Sequence, residues 1–512
     1  MTDTMTPIGD ARHSILDVRR LAAGNTKIGL TAAAEARIAR SREIVAQYAA
    51  GDEPIYGLNT GLGGNLGHRI DRGDIVAFQE QLVRGRNAGV GASLPEAVCR
   101  VALLARIISA SKGSPGLSRP TIDQLMALFN AGVSPAIPSY GSISAADLVL
   151  SAHMGAVLVG RGRAWLGGEE MDGAQALRRA GLRAIALEPK DGLGLCNASA
   201  PSMGHAVVTL GTLADTLLVG SAAAALAYQG YGANPRIFDA RLHAARATPG
   251  QQEAAALFRR LLDGSSIHAD PRNIQDAVSY RTVAPVMGAA FEAFRLTRSA
   301  VEDEINGVSD TPLVLLDAGL MLSSPNFETS GIALAFDALA IALTHLATAS
   351  AYRIMKLMNP VLSGLPKYLS PVGGASAGFV PMQKTVASLH AEIRQYATPG
   401  SLDALAVSDT VEDHAPQTML TIKKLAAQLA PFRLLVAIEA LVAAQAVDLR
   451  AGLAISPATE TLHKAIRALV PPLDADRENG PDAMTVHDIL ADPQLIAVFR
   501  GRADGLGLPI VG

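Results

Sequence analysis

The sequence predicts an all-α protein built around long central helices, and three observations predict it. Apolar residues recur at helical spacing along most of the chain. No alternation of strand, turn and helix appears, and no repeat of solenoid length is present. Three tracts, 203–228, 332–355 and 425–449, are apolar on nearly every face and far longer than a strand. Each nevertheless carries charge or strong polarity: His205 and Asp215, Asp337 and Arg353, Arg433 and Glu439. A bilayer tolerates such groups poorly. A helix apolar all round in a soluble protein is normally buried at the centre of a bundle, often against another subunit. The tracts are therefore expected to be central helices of an obligate oligomer, with no membrane as partner.

At 512 residues and 49% hydrophobic, the chain is long enough for a large core. Charged residues are 18% and aromatics 4%, so Ala, Leu and Val are expected to fill that core. A net charge of −3 without a long basic run argues against nucleic acid as partner. Cys99 and Cys196 are too few and too isolated for a disulfide framework or a zinc cluster, which fits a cytoplasmic protein. Asp3, Asp10, Arg12 and Asp17 punctuate the start of the chain, which does not read as a signal peptide. In chain order, 31–48, 95–112 and 122–130 read as amphipathic helices separated by Gly or Pro. Three irregular stretches interrupt the helices: the glycine-rich 51–69, a loop at 189–203 around Asn197, and 323–331 around Phe327. Such loops are where function collects. The tail, 471–512, is polar, with three short helical fragments at most, and reads as a surface cap. The expected organisation is one continuous unit: a helical region over 1–200, the long-helix bundle over 201–450 and a cap over 451–512.

The stretch 140–154, Tyr-Gly-Ser-Ile-Ser-Ala-Ala-Asp-Leu running on to His153 and Met154, leaves a turn marked by Pro135 and Pro138. It is expected to enter a helix capped near Ser144 or Asp147. Small side chains there let a ligand approach the backbone, or form an ordinary Ala-rich helix start. Tyr56 stands beside a glycine-rich loop, 57–64, as a loop anchor or, with a lowered pKa, as a base. That loop is no nucleotide fingerprint, since no strand precedes it.

Further along come Asn87-Ala88-Gly89, Lys190-Asp191-Gly192 with Asn197, Gln275-Asp276 with Tyr280 and Arg281, Glu304-Ile305-Asn306-Gly307 running on through Asp310-Thr311-Pro312-Leu313, Asn326-Phe327, Ser363-Gly364-Leu365-Pro366 and Glu412-Asp413-His414. Singly these are caps, turns and surface charges. In this order, from about residue 10 to about residue 480, they resemble the histidine/phenylalanine ammonia-lyase superfamily. The resemblance implies an all-helical homotetramer with active sites at subunit junctions, acting on a small amino acid and eliminating its amine. It implies that Tyr56 is the base for the β-proton, that Arg281 holds the carboxylate, that Asn197 and Gln275 surround the reacting centre, and that Phe327 and Glu412 lie close to the substrate. No metal is expected. His153 has no acid or histidine at ligand spacing, and the resemblance gives the motif of His414 a role without metal.

The chain departs from the family where the prosthetic group forms. The usual Ala-Ser-Gly, which cyclises into an electrophilic methylidene-imidazolone, is here Ser144-Ala145-Ala146, one residue short. The middle residue lacks the hydroxyl that must be lost. A shifted triad, Ile143-Ser144-Ala145, would close through an alanine amide, whose Cβ obstructs the attack that glycine permits. No cofactor is therefore expected. Without the electrophile, elimination needs a leaving group that is already good, such as a quaternary ammonium. In this the chain resembles the ergothionase branch, which splits trimethylamine from the trimethylbetaine of 2-thiohistidine.

Gly85 and Arg86 replace a Ser-His pair of histidine lyases, so that Arg86 either binds a thione sulfur or ring nitrogen or is a solvated arginine. Lys384 replaces an apolar residue of the family's site region, as a substrate-orienting cation or a lysine at a subunit seam. Val278 stands where a second tyrosine is usual, and on a helix Tyr280 is roughly 200° away from it. Two rival readings remain open: an ordinary ammonia-lyase using the shifted triad, and a catalytically inactive ligand-binding relative.

Overall fold

The computed structural model describes residues 5–24, 26–269, 271–402 and 405–511. The three apolar tracts are helices, Ala200–Tyr231, Ser330–Leu357 and Thr418–Leu449, accompanied by a fourth long one, Val283–Asn306. The amphipathic stretches are also helical. Ala32–Ala50 is capped by Thr31, whose hydroxyl accepts the Ala34 amide. Glu96–Ala110 follows Pro95, and Arg119–Asn130 is capped by Ser118 with Pro120 in its first turn. The tail carries two helices, Asn479–Leu490 and Pro493–Ala503. The fold is all-α, built on long helices. Short strands of three or four residues also form four small sheets among the described residues. Val133–Pro135, for example, pairs with Arg163–Leu166, which pairs with Glu169–Asp172. Strands this short carry too few alternations to register as a pattern in sequence.

The chain forms two compact units, each assembled from three stretches. One comprises 1–211, 298–336 and 399–423; the other comprises 212–297, 337–398 and 424–512.

In the first unit, a cluster of Ile44, Val45, Ile55, Leu58, Ile75, Val314 and Met321 lies directly beneath the tyrosine-bearing loop. In the second, several polar groups inside the apolar helices have found partners. Arg353 grips Glu439 through Nε–Oε1 at 2.5 Å and Nη2–Oε2 at 2.9 Å, and the Ser350 hydroxyl donates to Oε2 at 2.6 Å. Tyr280 is fully buried, stacks on Tyr231 at 4.0 Å and donates to the Arg353 carbonyl. Asp215 pairs with Arg500 at 2.5 Å. By length and composition three helices could cross a membrane, but paired charges of this kind mark helices buried in protein. Leu334, Ile341 and Tyr352 on Ser330–Leu357 remain exposed, as does Leu296 on Val283–Asn306.

Replacing Glu439 by leucine alone strands the Arg353 charge in the core and is expected to cost about 3–5 kcal/mol. The measurement is the denaturant midpoint; pairing the change with Arg353→Met restores most of the loss.

Candidate active site

Tyr56 is held by its backbone neighbours. The Asn59 side chain closes the loop, accepting the Ile55 amide at 2.7 Å and donating to the Glu53 carbonyl at 2.8 Å. Gln79, fully buried, donates to the Gly57 carbonyl and accepts the Leu193 amide, both at 3.1 Å. One side chain thereby ties the tyrosine loop to the Asp191–Cys196 helix. Gly57 has φ +66°, and a Cβ there would stand 2.4 Å from the Leu193 Cδ2, so only glycine fits. The Tyr56 oxygen accepts the Gly63 amide at 3.1 Å, which leaves the phenolic hydrogen to other partners.

The stretch 144–147 is tightly specified. Ser144 and Ala146 are both left-handed, at φ 66° and 52°. The Ser144 hydroxyl accepts the Met419 amide at 3.0 Å, and the residue is only 2% exposed. Ala146 donates to the Phe327 carbonyl at 3.0 Å and Asp147 to the Ala198 carbonyl at 2.9 Å. The turn thereby places Ala145, not Ser144, on the wall of a cavity. Asp147 sits at the N-cap of Leu148–Leu158, as expected from sequence, but its side chain makes no cap bond there. It accepts instead from the Ser142 hydroxyl at 2.6 Å and from the amide and hydroxyl of Ser202 at 2.7 and 2.9 Å, in the first turn of Ala200–Tyr231. Burial pushes the Asp147 carboxyl up, and those donors oppose the shift.

The expected loop at 189–203 is largely helical: Asp191–Cys196, a break at Asn197, then Ala200–Tyr231. The break is pinned from below. Asp191 accepts four bonds of 2.7–2.8 Å, from the amide and hydroxyl of Ser118, the Thr121 hydroxyl and the Glu188 amide. Lys190, left-handed at φ 76°, turns its ammonium inward to Asp310 at 3.0 Å, with neither side chain exposed. Burial pushes the Asp310 carboxyl up and the Lys190 ammonium down, while their mutual attraction opposes both shifts. Asn197 donates through Nδ2 to Asp310 at 3.2 Å and to the Thr311 carbonyl at 3.0 Å.

These pieces enclose a cavity of about 610 Å³ in the first unit. Tyr56, Arg86, Ala145, Asn197, Phe327 and Glu412 all line it, so six residues singled out from sequence converge there. Phe327 and Arg86 are half-buried, and no carboxylate among the described residues pairs with Arg86. Glu412 accepts the Ser408 hydroxyl at 2.6 Å. The cavity therefore holds a phenol, an aromatic face, a guanidinium and a carboxylate around an apolar floor. Thr311, Ser408 and Asp409 also line it and were not singled out. Nor were the supporting roles of Gln79, Lys190 and Asp310. Lys190 and Asp310 stand inside recognised motifs, but Gln79 and Ser408 carry no signal beyond the ordinary polar residue.

The remaining predicted residues belong to the second unit and do not line this cavity. Gln275 is exposed beside Asp276, which accepts the Asn234 amide at 2.7 Å and the Asn273 side chain at 2.9 Å. Arg281 ends the short helix Val278–Arg281, and its Nε is buried without a partner. Lys384 is exposed on Val380–Tyr396. Tyr280, in the core, is unavailable as a substitute for the phenol missing at Val278. Among the described residues no cluster of three or more His, Cys, Asp or Glu could hold a metal.

A fold of long helices carries a cavity walled by a tyrosine loop and a tight small-residue turn, and comparison with known proteins shows the class. The aromatic amino acid lyase family model matches residues 14–468, and the chain belongs to that family. It is a carbon–nitrogen lyase of the histidine/phenylalanine ammonia-lyase superfamily. Histidine ammonia-lyase of Burkholderia pseudomallei is 39% identical over 487 residues, covering 94% of this chain and 96% of its own. Among solved structures, the ergothioneine-degrading enzyme ergothionase of Treponema denticola, in complex with desmethyl-ergothioneine sulfonic acid, superposes with a TM-score of 0.93. It is 29% identical, with 96% of this chain and 99% of that one covered. Histidine ammonia-lyase of Trypanosoma cruzi gives 0.90 at 27% identity, covering 98% and 97%.

Two outcomes follow for the unit that carries the cavity. Gly57→Ala forces a Cβ into Leu193 and is expected to lower kcat by at least about tenfold through displacement of Tyr56, measured by steady-state kinetics. Burial pushes the His205 imidazole down to about 4, and Lys423 acts in the same direction. An unfolded histidine takes its proton near 6.5, so between 6.5 and 4 the unfolded state binds more protons and stability falls as pH falls. Urea midpoints against pH check this, and His205→Gln flattens the slope in that window.

Proposed function

We propose that this chain eliminates a tertiary amine from the trimethylbetaine of an amino acid, without a prosthetic ring, and that its substrate is ergothioneine. The observation that carries the reading is the exchange of positions at the degenerate triad. Ala145 faces the cavity where the family's electrophile stands, while the hydroxyl of the shifted triad, on Ser144, is buried and committed to Met419. A methylidene made from Ser144 would start from a side chain directed away from the substrate.

Chemistry supplies the rest. A base strong enough for a carbon acid first deprotonates a primary ammonium, leaving an amine that departs poorly. A quaternary nitrogen has no proton to lose and leaves as a neutral amine. Tyr56 takes the β-proton, the C–H pair becomes the Cα=Cβ bond, and the Cα–N bond breaks with its electrons going to trimethylamine. Thiourocanate remains. Phe327 and Glu412 suit the cationic head, with cation–π attraction of roughly 0.5–2 kcal/mol. Arg86 meets the thione sulfur or a ring nitrogen. In the homotetramer this reading requires, Gln275, Arg281 and Lys384 reach the cavity from neighbouring subunits. Arg281 then grips the carboxylate, Gln275 borders the reacting centre and Lys384 holds the thioimidazole. The exposed Leu334, Ile341, Tyr352 and Leu296 supply apolar surface for such contacts. The superposition on ergothionase supports this choice of substrate.

The 39% identity to a histidine ammonia-lyase favours a second reading, deamination of histidine through a ring formed from the shifted triad. Purified protein incubated with ergothioneine, histidine and histidine trimethylbetaine separates the two. Trimethylamine and a conjugated ultraviolet-absorbing acid from ergothioneine, with an intact mass showing no loss of water, are expected. Turnover of histidine with a dehydrated chain would sink the proposal. Tyr56→Phe is expected to lower kcat by about 10²–10⁴-fold while ligand binding persists.

A further inference from the structure

Three charged side chains of the first unit line the cavity: the guanidinium of Arg86 and the carboxylates of Glu412 and Asp409. Glu412 already accepts the Ser408 hydroxyl at 2.6 Å. No described group donates to the Asp409 carboxylate or pairs with it. Asp409 is exposed, so its charge is open to a ligand that enters.

The backbone fixes where that charge stands. Ser408, Asp409 and Thr410 are three consecutive left-handed residues, at φ 55°, 55° and 67°. The turn is closed by the Val407 amide on the Glu412 carbonyl at 3.1 Å, the Glu412 amide on the Val407 carbonyl at 3.2 Å and the Val411 amide on the Ser408 carbonyl at 3.2 Å. Left-handed backbone is unfavourable for side chains other than glycine, and Asp and Asn bear it best. Strain of this kind collects where a protein positions a ligand. The carboxylate itself lies against the tyrosine loop. A Cβ at Gly64 would stand 2.9 Å from the Asp409 Oδ2, and one at Gly63 would stand 3.9 Å from the Glu412 Oε1. Gly63 is also the residue whose amide meets the Tyr56 oxygen. Both carboxylates therefore share the wall that carries the base.

Two anions on one wall repel each other, and a cation in front of them is attracted by both. A quaternary ammonium has no N–H to offer, so a protein attracts it by charge and aromatic faces and not by hydrogen-bond geometry. A second carboxylate supplies that charge. We propose that Asp409 is a specificity-determining residue, whose charge, added to that of Glu412, makes the cavity favour a substrate with a cationic head group. The assignment rests on the elimination site proposed above, but it concerns binding and is measured without turnover.

Asp409→Asn removes the charge while keeping the side-chain shape and the tolerance for left-handed backbone. Two probes share the thioimidazole ring. One is the decarboxylated trimethylammonium compound, which keeps the cation and lacks the acid; the other is the thioimidazole propionate, which keeps the acid and lacks the nitrogen. Calorimetric titration of the full-length protein is expected to show the substitution weakening the cation by about threefold to tenfold and leaving the acid unchanged or slightly tighter. A purely structural role would weaken both together. Raising the salt concentration is expected to narrow the difference between parent and variant for the cation, since screening acts on the charge alone.

A parent that fails to bind the cation at millimolar concentration, a cation affinity unchanged by the substitution, or a loss equal or greater for the acid each overturns the assignment. If ergothioneine is not turned over yet the cation is lost selectively, the substrate proposal fails and this one stands. If ergothioneine is turned over and the cation is indifferent to Asp409→Asn, the reverse holds.

Discussion

Two opposite charges shut away from water, Lys190 and Asp310, are what the cavity is built upon. Neither can be buried alone: each would face a desolvation cost of several kcal/mol. Together they bring 190 and 310 to one point and leave Asp310 with capacity for the Thr311 amide and the Asn197 side chain. Arg106, also fully buried, adds positive charge nearby and donates to the Gly194 carbonyl. Strands, turns and the break before Ala200–Tyr231 are arranged around this charge cluster, because hydrogen bonds to charged groups in a dry interior are the least adjustable contacts a protein has.

The turn at 144–147 obeys a similar logic. Two consecutive alanines and a serine adopt a path with two left-handed residues, a conformation alanine pays for. The cost is offset by bonds reaching Phe327, Ala198, Met419 and Ser202 from distant parts of the first unit. A segment so heavily tied holds one shape, and it presents a small, apolar wall to the cavity.

Much of this was legible in the order of motifs. Tyr56, Arg86, Ala145, Asn197, Phe327 and Glu412 converge on one cavity although they are scattered over more than three hundred and fifty positions, because each stood in a segment whose residue types had few structural reasons to coincide. Gln79 was not legible. A glutamine on an amphipathic helix reads as solvent-facing, and only the approach of Gly57 and Leu193 makes it a buried bridge.

The sequence by itself determined the helical class, the presence of the three long apolar helices and the residue types at 144–146. Those follow from periodicity and from covalent chemistry, which are local. Only the tertiary structure decided that Ala145 rather than Ser144 faces the cavity, that the Asn197 side chain is tied to Asp310 and Thr311, and that the 189–203 stretch is helical on both sides of its break. Each of these is set by partners a hundred or more residues away, or by left-handed backbone angles that no residue type at those positions announces.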